Sequence, residues 1–129
     1  MNILVVDDVE VVRLVIGKIL KKAGHVTFMA DGADQALKIA QSTPIDVLVT
    51  DIWMPETDGF ALLRAFRTRF PRVGRIAVSG GSPVSSLDDS LATAREAGAA
   101  VVIMKPVDRD ELLEALEQAA PKNPALGPS

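Results

Sequence analysis

Short, largely uninterrupted apolar runs alternate along this chain with stretches in which apolar residues return every three or four positions. The runs fall at residues 3–6, 26–29, 47–50, 76–78 and 100–104. Consecutive rather than alternating apolar positions mark parallel strands covered on both faces, because neither face then meets water. Five amphipathic segments lie between and after them. The first places Val12, Ile16, Ile19 and Ala23 on one face and ends at Gly24. The second follows Asp31-Gly32, carries Ala36, Leu37 and Ala40, and stops before Pro44. The third starts at Asp58 as N-cap and carries Phe60, Leu63, Phe66 and Phe70 to Pro71. The fourth follows Pro83 with Leu87, Leu91 and Ala94, ending at Gly98. The fifth opens at Asp108 with Glu111 three residues on, a capping-box spacing, and carries Leu112, Leu116 and Ala119 to Pro121. Five strand–helix units predict an α/β chain built on a doubly wound parallel sheet with helices on both faces.

Composition adds bounds. A chain of 129 residues that is 48% hydrophobic makes one domain with a substantial core. Residues 1–120 carry the periodic pattern, and 121–129, with three prolines, predict a short disordered tail. A net charge of −3 and no obvious basic run argue against direct nucleic-acid or membrane-surface binding. The absence of cysteine excludes disulfides, thiolate zinc sites and thiol chemistry. No apolar run approaches membrane-spanning length, and the amino terminus enters the first strand without a basic, cleavable leader. A soluble cytoplasmic protein with no membrane insertion is the expectation.

The chemistry gathers at strand ends. Asp7 and Asp8 follow the first run, Asp51 the third, Ser79 the fourth and Lys105 the fifth. Carboxylates at the end of a buried strand need a compensating charge. In a parallel sheet these ends share the carboxyl edge, where open α/β folds hold their ligands. Two carboxylates about 4 Å apart repel by roughly 4 kcal/mol at an effective dielectric near 20. A divalent cation relieves that repulsion, and Mg²⁺ prefers such oxygen ligands. One carboxylate can then attack phosphorus while the ammonium and hydroxyl neutralise the phosphoryl oxygens.

Four motifs in order carry a resemblance: Leu4-Val5-Val6-Asp7-Asp8; Val49-Thr50-Asp51-Ile52-Trp53-Met54-Pro55-Glu56-Thr57-Asp58-Gly59; Ala77-Val78-Ser79-Gly80; and Met104-Lys105-Pro106. Over residues 2–120 the chain resembles the receiver domain of two-component response regulators, of the stand-alone type. The resemblance implies a flavodoxin-like fold with five parallel strands in the order 2-1-3-4-5. It implies Asp51 as phospho-acceptor, with Asp7, Asp8, Asp51 and the Trp53 backbone carbonyl around Mg²⁺ (or Mn²⁺). Ser79 would meet the phosphoryl group, Lys105 would pair with it, and the peptide bond before Pro106 would be cis. The implied donor is a sensor histidine kinase or histidine phosphotransfer protein, and the output an unidentified protein target. A monomer or weak dimer is expected, with self-catalysed phosphoryl transfer and slow autodephosphorylation as its only chemistry.

Some positions depart from the family. Val102 stands where an aromatic switch residue is usual, which leaves switching to Ser79 and the Gly80-Gly81-Ser82 segment. The stretch from Ser79 to Lys105 is longer than usual, with residues 82–86 as the insertion. Trp53 and Gly81 offer no group to orient an attacking water, so slow self-dephosphorylation is expected. Val11 and Leu14 lie off the first helix's apolar stripe and form a candidate docking patch for the phosphodonor. His25 reads as a surface or cap residue, Phe60, Phe66 and Phe70 as core, and Trp53 as partly exposed. Two further readings stay open. In an aspartate-nucleophile phosphatase Asp8 would be the nucleophile, although Glu10 then stands where a second Asp is usual. A pseudo-receiver would act as an unphosphorylated scaffold. A flavin- or nucleotide-binding module fits less well, because Asp7-Asp8 would repel phosphate.

Overall fold

A computed structural model describes residues 1–53, 59–80 and 87–121, excepting the side chains of 87–91. The expected N-cap Asp58, the 81–86 segment and the tail beyond Pro121 lie outside those residues. In chain order the elements are β1 (Asn2–Val6), α1 (Glu10–Lys22), β2 (Val26–Ala30), α2 (Ala33–Ser42), β3 (Val47–Asp51), α3 (Gly59–Arg69), β4 (Gly74–Ser79), α4 (Leu87–Ala97), β5 (Val101–Met104) and α5 (Arg109–Ala119). The strands form one parallel sheet in the order β2-β1-β3-β4-β5, as expected.

Successive residues of a strand point to opposite faces, so each central strand feeds two cores. Leu4, Val6, Leu48 and Ala77 pack with Ala36 of α2, Phe60, Leu63 and Phe66 of α3, and Ala94 and Ala97 of α4. Ile3, Val5, Val47, Val49, Ile76 and Val78 pack with Ile16 and Leu20 of α1 and with Leu112, Ala115 and Leu116 of α5. Both faces are therefore dry, which accounts for the consecutive apolar runs. Asp108 caps α5 by accepting a hydrogen bond from the Glu111 backbone N–H at 3.0 Å.

Three local expectations shift. Leu20 is fully buried in α1, while Ala23 is exposed at its C-cap, so the inward stripe runs through Ile16, Gly17 and Leu20, with Val12 and Ile19 only partly buried. The edge strand β2 is only partly covered, and Val26 is exposed. β4 begins at Gly74 rather than 76, because the Arg75 guanidinium reaches out to the Gly98 carbonyl at 2.7 Å. Among the described residues no helix is long and apolar enough to cross a membrane.

The register fixes where the strand ends meet. Val6 lies beside Thr50, Asp51 beside Val78, and Ser79 beside Met104. The residues that follow or close these strands therefore share one edge.

Candidate functional site

Asp7 leaves β1 with its side chain 1% exposed, and Asp51 closes β3 at 3%. Asp8, one residue on, faces solvent. One carboxylate oxygen from each of the three lies within 4.8 Å of the others. Lys105 follows β5 and sends its Nζ between the buried pair, 3.2 Å from Asp7 Oδ2 and 3.4 Å from Asp51 Oδ2. Ser79 closes β4, fully buried, and its carbonyl accepts a hydrogen bond from the Lys105 backbone N–H at 2.9 Å. The Lys105–Pro106 bond is cis, as the resemblance implied. All five residues read from the sequence thus meet at the carboxyl edge.

The carboxylates are aimed by the main chain. Asp7 Oδ1 accepts from the Val9 N–H at 2.9 Å, and Asp51 Oδ1 accepts from the Trp53 N–H at 3.3 Å. Burial raises the Asp51 pKa above its ordinary value; Lys105 opposes that shift and the neighbouring Asp7 adds to it. For Lys105, burial alone would lower the pKa, but Asp51 and Asp7 outweigh it and hold the ammonium charged. One lysine against three carboxylates leaves two negative charges over. Gathered hard oxygen ligands, a surplus of that size and one solvent-facing carboxylate fit a divalent cation that retains water. The cluster can hold a cation.

Two supporting residues escaped sequence reasoning. Arg13 Nη1 donates to the Asp7 carbonyl at 2.6 Å and so fixes the turn that presents the acidic pair. Its only signal is an arginine one helical turn into α1. Gly59, first residue of α3, packs against the Asp51 carbonyl and the Ile52 Cα, leaving no room for a Cβ. Its place in the Asp58-Gly59 motif was the signal. Gly59→Ala is expected to push α3 off the end of β3, at a cost of about 1–3 kcal/mol. A fall in the urea midpoint would show it; an unchanged midpoint would mean that α3 yields freely.

The remaining candidates sit around the edge. Trp53 is half-buried, its indole edge-on to Phe60 at 5.5 Å, and its buried Nε1 has no hydrogen-bond partner among the described residues. Val102 is half-buried against the core layer that holds α3 and α4. Val11 and Leu14 are 67% and 58% exposed, and with Val15 and Met29 they line a cleft of about 330 Å³. Phe60 and Phe66 are core, and Phe70 is half-buried beside them. His25 lies away from the acids, its Nδ1 3.2 Å from the terminal amine.

Likeness to known proteins follows the same lines. Residues 3–117 match the response regulator receiver domain family. The chain is 33% identical over 120 residues to an NtrX-like response regulator of Rickettsia bellii, covering 92% of this chain and 24% of that protein. It is 36% identical over 116 residues to the DNA-binding transcriptional regulator NtrC of Escherichia coli, covering 89% and 24%. The chain thus spans about a quarter of the length of these curated relatives. The crystal structure of a CheY-like receiver domain protein from Methanospirillum hungatei aligns at a TM-score of 0.80 with 30% identity, over 90% of each chain. The chain belongs to the response regulator receiver domain family, the phospho-acceptor modules of two-component signalling.

Proposed function

We propose that Asp51 is the phosphoryl acceptor and that Asp7, Asp8, Ser79 and Lys105 assist its phosphorylation by a phosphohistidine. The observation that carries this reading is the placement of Lys105 Nζ between two buried carboxylates, beside a third that faces solvent. An Asp51 carboxylate oxygen attacks phosphorus, the phosphorus–nitrogen bond breaks, and the departing imidazole takes up a proton from water. Lys105 stabilises the charge that builds on the phosphoryl oxygens, and the Ser79 hydroxyl donates to one of them. The Trp53 N–H keeps Asp51 aimed outward. Asp7, Asp8, Asp51 and the Trp53 carbonyl would hold Mg²⁺ or Mn²⁺, which would supply positive charge against the acidic cluster, while Lys105 serves the phosphoryl oxygens.

Receiver domains of this kind are phosphorylated by histidine kinases and act on downstream effectors. For this chain the proposed donor is a kinase or phosphotransfer protein that presents its histidine on a helical bundle. The exposed Val11 and Leu14 beside the acidic pair support its docking there. Alanine at both is expected to slow transfer from the protein donor by about a hundredfold or more, since each buried aliphatic side chain contributes roughly 1.5–3 kcal/mol. Transfer from acetyl phosphate should not change. Equal slowing with both donors would place the defect at the site instead.

Trp53 gives an optical test of the cluster. As the sole tryptophan, joined to Asp51 through its backbone N–H, it should change emission as Mg²⁺ is added and again with a beryllofluoride mimic. A flat titration with both would remove the metal from this reading. Phosphorylation itself is tested by intact mass after incubation with acetyl phosphate and Mg²⁺, where one added phosphoryl group is expected.

A further inference from the structure

Residues 59–80 contain five arginines, Arg64, Arg67, Arg69, Arg72 and Arg75, and not one acidic residue. In a chain with more acids than bases this is a pronounced local excess. Among the described residues no carboxylate pairs with any of the five; the ion pairs there are those of Lys105 and of Arg109. Arg67 and Arg75 instead donate to the Glu96 and Gly98 carbonyls, each at 2.7 Å, where the carboxyl end of α4 favours positive charge. Arg69 and Arg72 keep their guanidinium groups exposed, and Arg69 lies over the Phe70 ring at 5.6 Å.

Those two arginines rim a cleft of about 320 Å³ between the carboxyl ends of α2 and α3, lined also by Ala40, Ile45, Phe70 and Val73. The lining is apolar and the volume suits one large side chain. Ile45 precedes β3, so the cleft lies at the amino edge of the sheet, about 20 Å of strand from Asp51. A ligand there leaves the phosphoryl-transfer edge open.

We infer that this cleft binds an acidic peptide segment of a partner protein, seating one large apolar side chain while Arg69 and Arg72 engage the flanking carboxylates. Charge complementarity selects the anion, because the guanidinium fork matches a carboxylate and no carboxylate among the described residues has taken it. The apolar lining selects a peptide over a nucleic acid. A polyanion would need phosphate contacts spread along a basic surface, and this chain's net charge is −3.

The test is fluorescence anisotropy with short dye-labelled probes on the full chain: an acidic peptide with a central phenylalanine, the same peptide with serine there, a basic phenylalanine peptide and a single-stranded DNA. The acidic phenylalanine peptide should bind, weaken with added salt, and bind about tenfold more tightly than the serine version. Arg69→Glu with Arg72→Glu should weaken it by a further tenfold or more, while acetyl phosphate still phosphorylates the variant at the wild-type rate. Ala40→Phe, which fills the cleft and leaves the arginines, should reduce the phenylalanine peptide to the serine level. DNA binding as tight as the peptide, indifference to the double charge reversal, or no binding of the acidic phenylalanine peptide would each overturn the inference.

Discussion

Asp51→Asn is expected to gain no phosphoryl mass from acetyl phosphate and Mg²⁺ under conditions that convert the wild type. The amide that replaces the carboxylate is not a nucleophile at neutral pH, and the neighbouring acids are poorly placed to take over. Asp7 has one oxygen held by the Val9 N–H and the other beside Lys105, while Asp8 is turned to solvent. A residual rate through either should lie on the order of a thousandfold below wild type. Lys105→Ala provides the contrast. It keeps the acceptor and loses one preorganised charge, so it should still be phosphorylated, about a hundredfold to a thousandfold more slowly. If the Asp51→Asn protein takes up phosphoryl at the wild-type rate, or Lys105→Ala is unaffected, the assignment fails.

That the chemistry could be read before the fold was known has a specific cause. In a parallel sheet every strand points the same way, so a polar residue at the end of an apolar run already declares which edge it occupies. Asp7, Asp51, Ser79 and Lys105 were readable on that ground alone. The register then aligned Asp51 with Val78 and Ser79 with Met104. What escaped depends on contacts between elements far apart in sequence. In sequence Arg13 is one more charge on α1, and its role lies in the contact of its guanidinium with the Asp7 carbonyl. Arg75 broke the apolar run of β4, although its charge is carried out to the end of α4. The exposure of Val26 reflects the position of β2 at the sheet edge, which its own residues do not encode. Arg67, Arg69, Arg72 and Arg75 are spaced along the chain so that no run stands out, and only the fold sets them around the carboxyl ends of α3 and α4.

The same burial and crowding of carboxylates that suit Asp51 to its proposed role should make it a burden on the metal-free fold. In the presence of a chelator at neutral pH, Asp51→Asn is expected to be more stable than the wild type by on the order of 2 kcal/mol. That is about half the repulsion of one carboxylate pair at an effective dielectric near 20, Lys105 offsetting the rest. The pH dependence follows from the raised Asp51 pKa, caused first by burial and reinforced by Asp7 against the opposing pull of Lys105. A group that holds its proton more tightly when folded contributes stability below its ordinary carboxylate value. That contribution is lost as pH rises through the folded value. The advantage of the variant should therefore be small in acid, grow as pH rises above 3.8, and level off once Asp51 is ionised in the native wild type. Mg²⁺ should shrink the gap, because it binds the native wild type more tightly than a variant lacking one ligand charge. Urea melts of both proteins across the acidic range, with chelator and with Mg²⁺, read all three effects together. A wild type more stable than Asp51→Asn without metal would mean that Lys105 already neutralises the cluster, and that the site has no charge left to offer a cation.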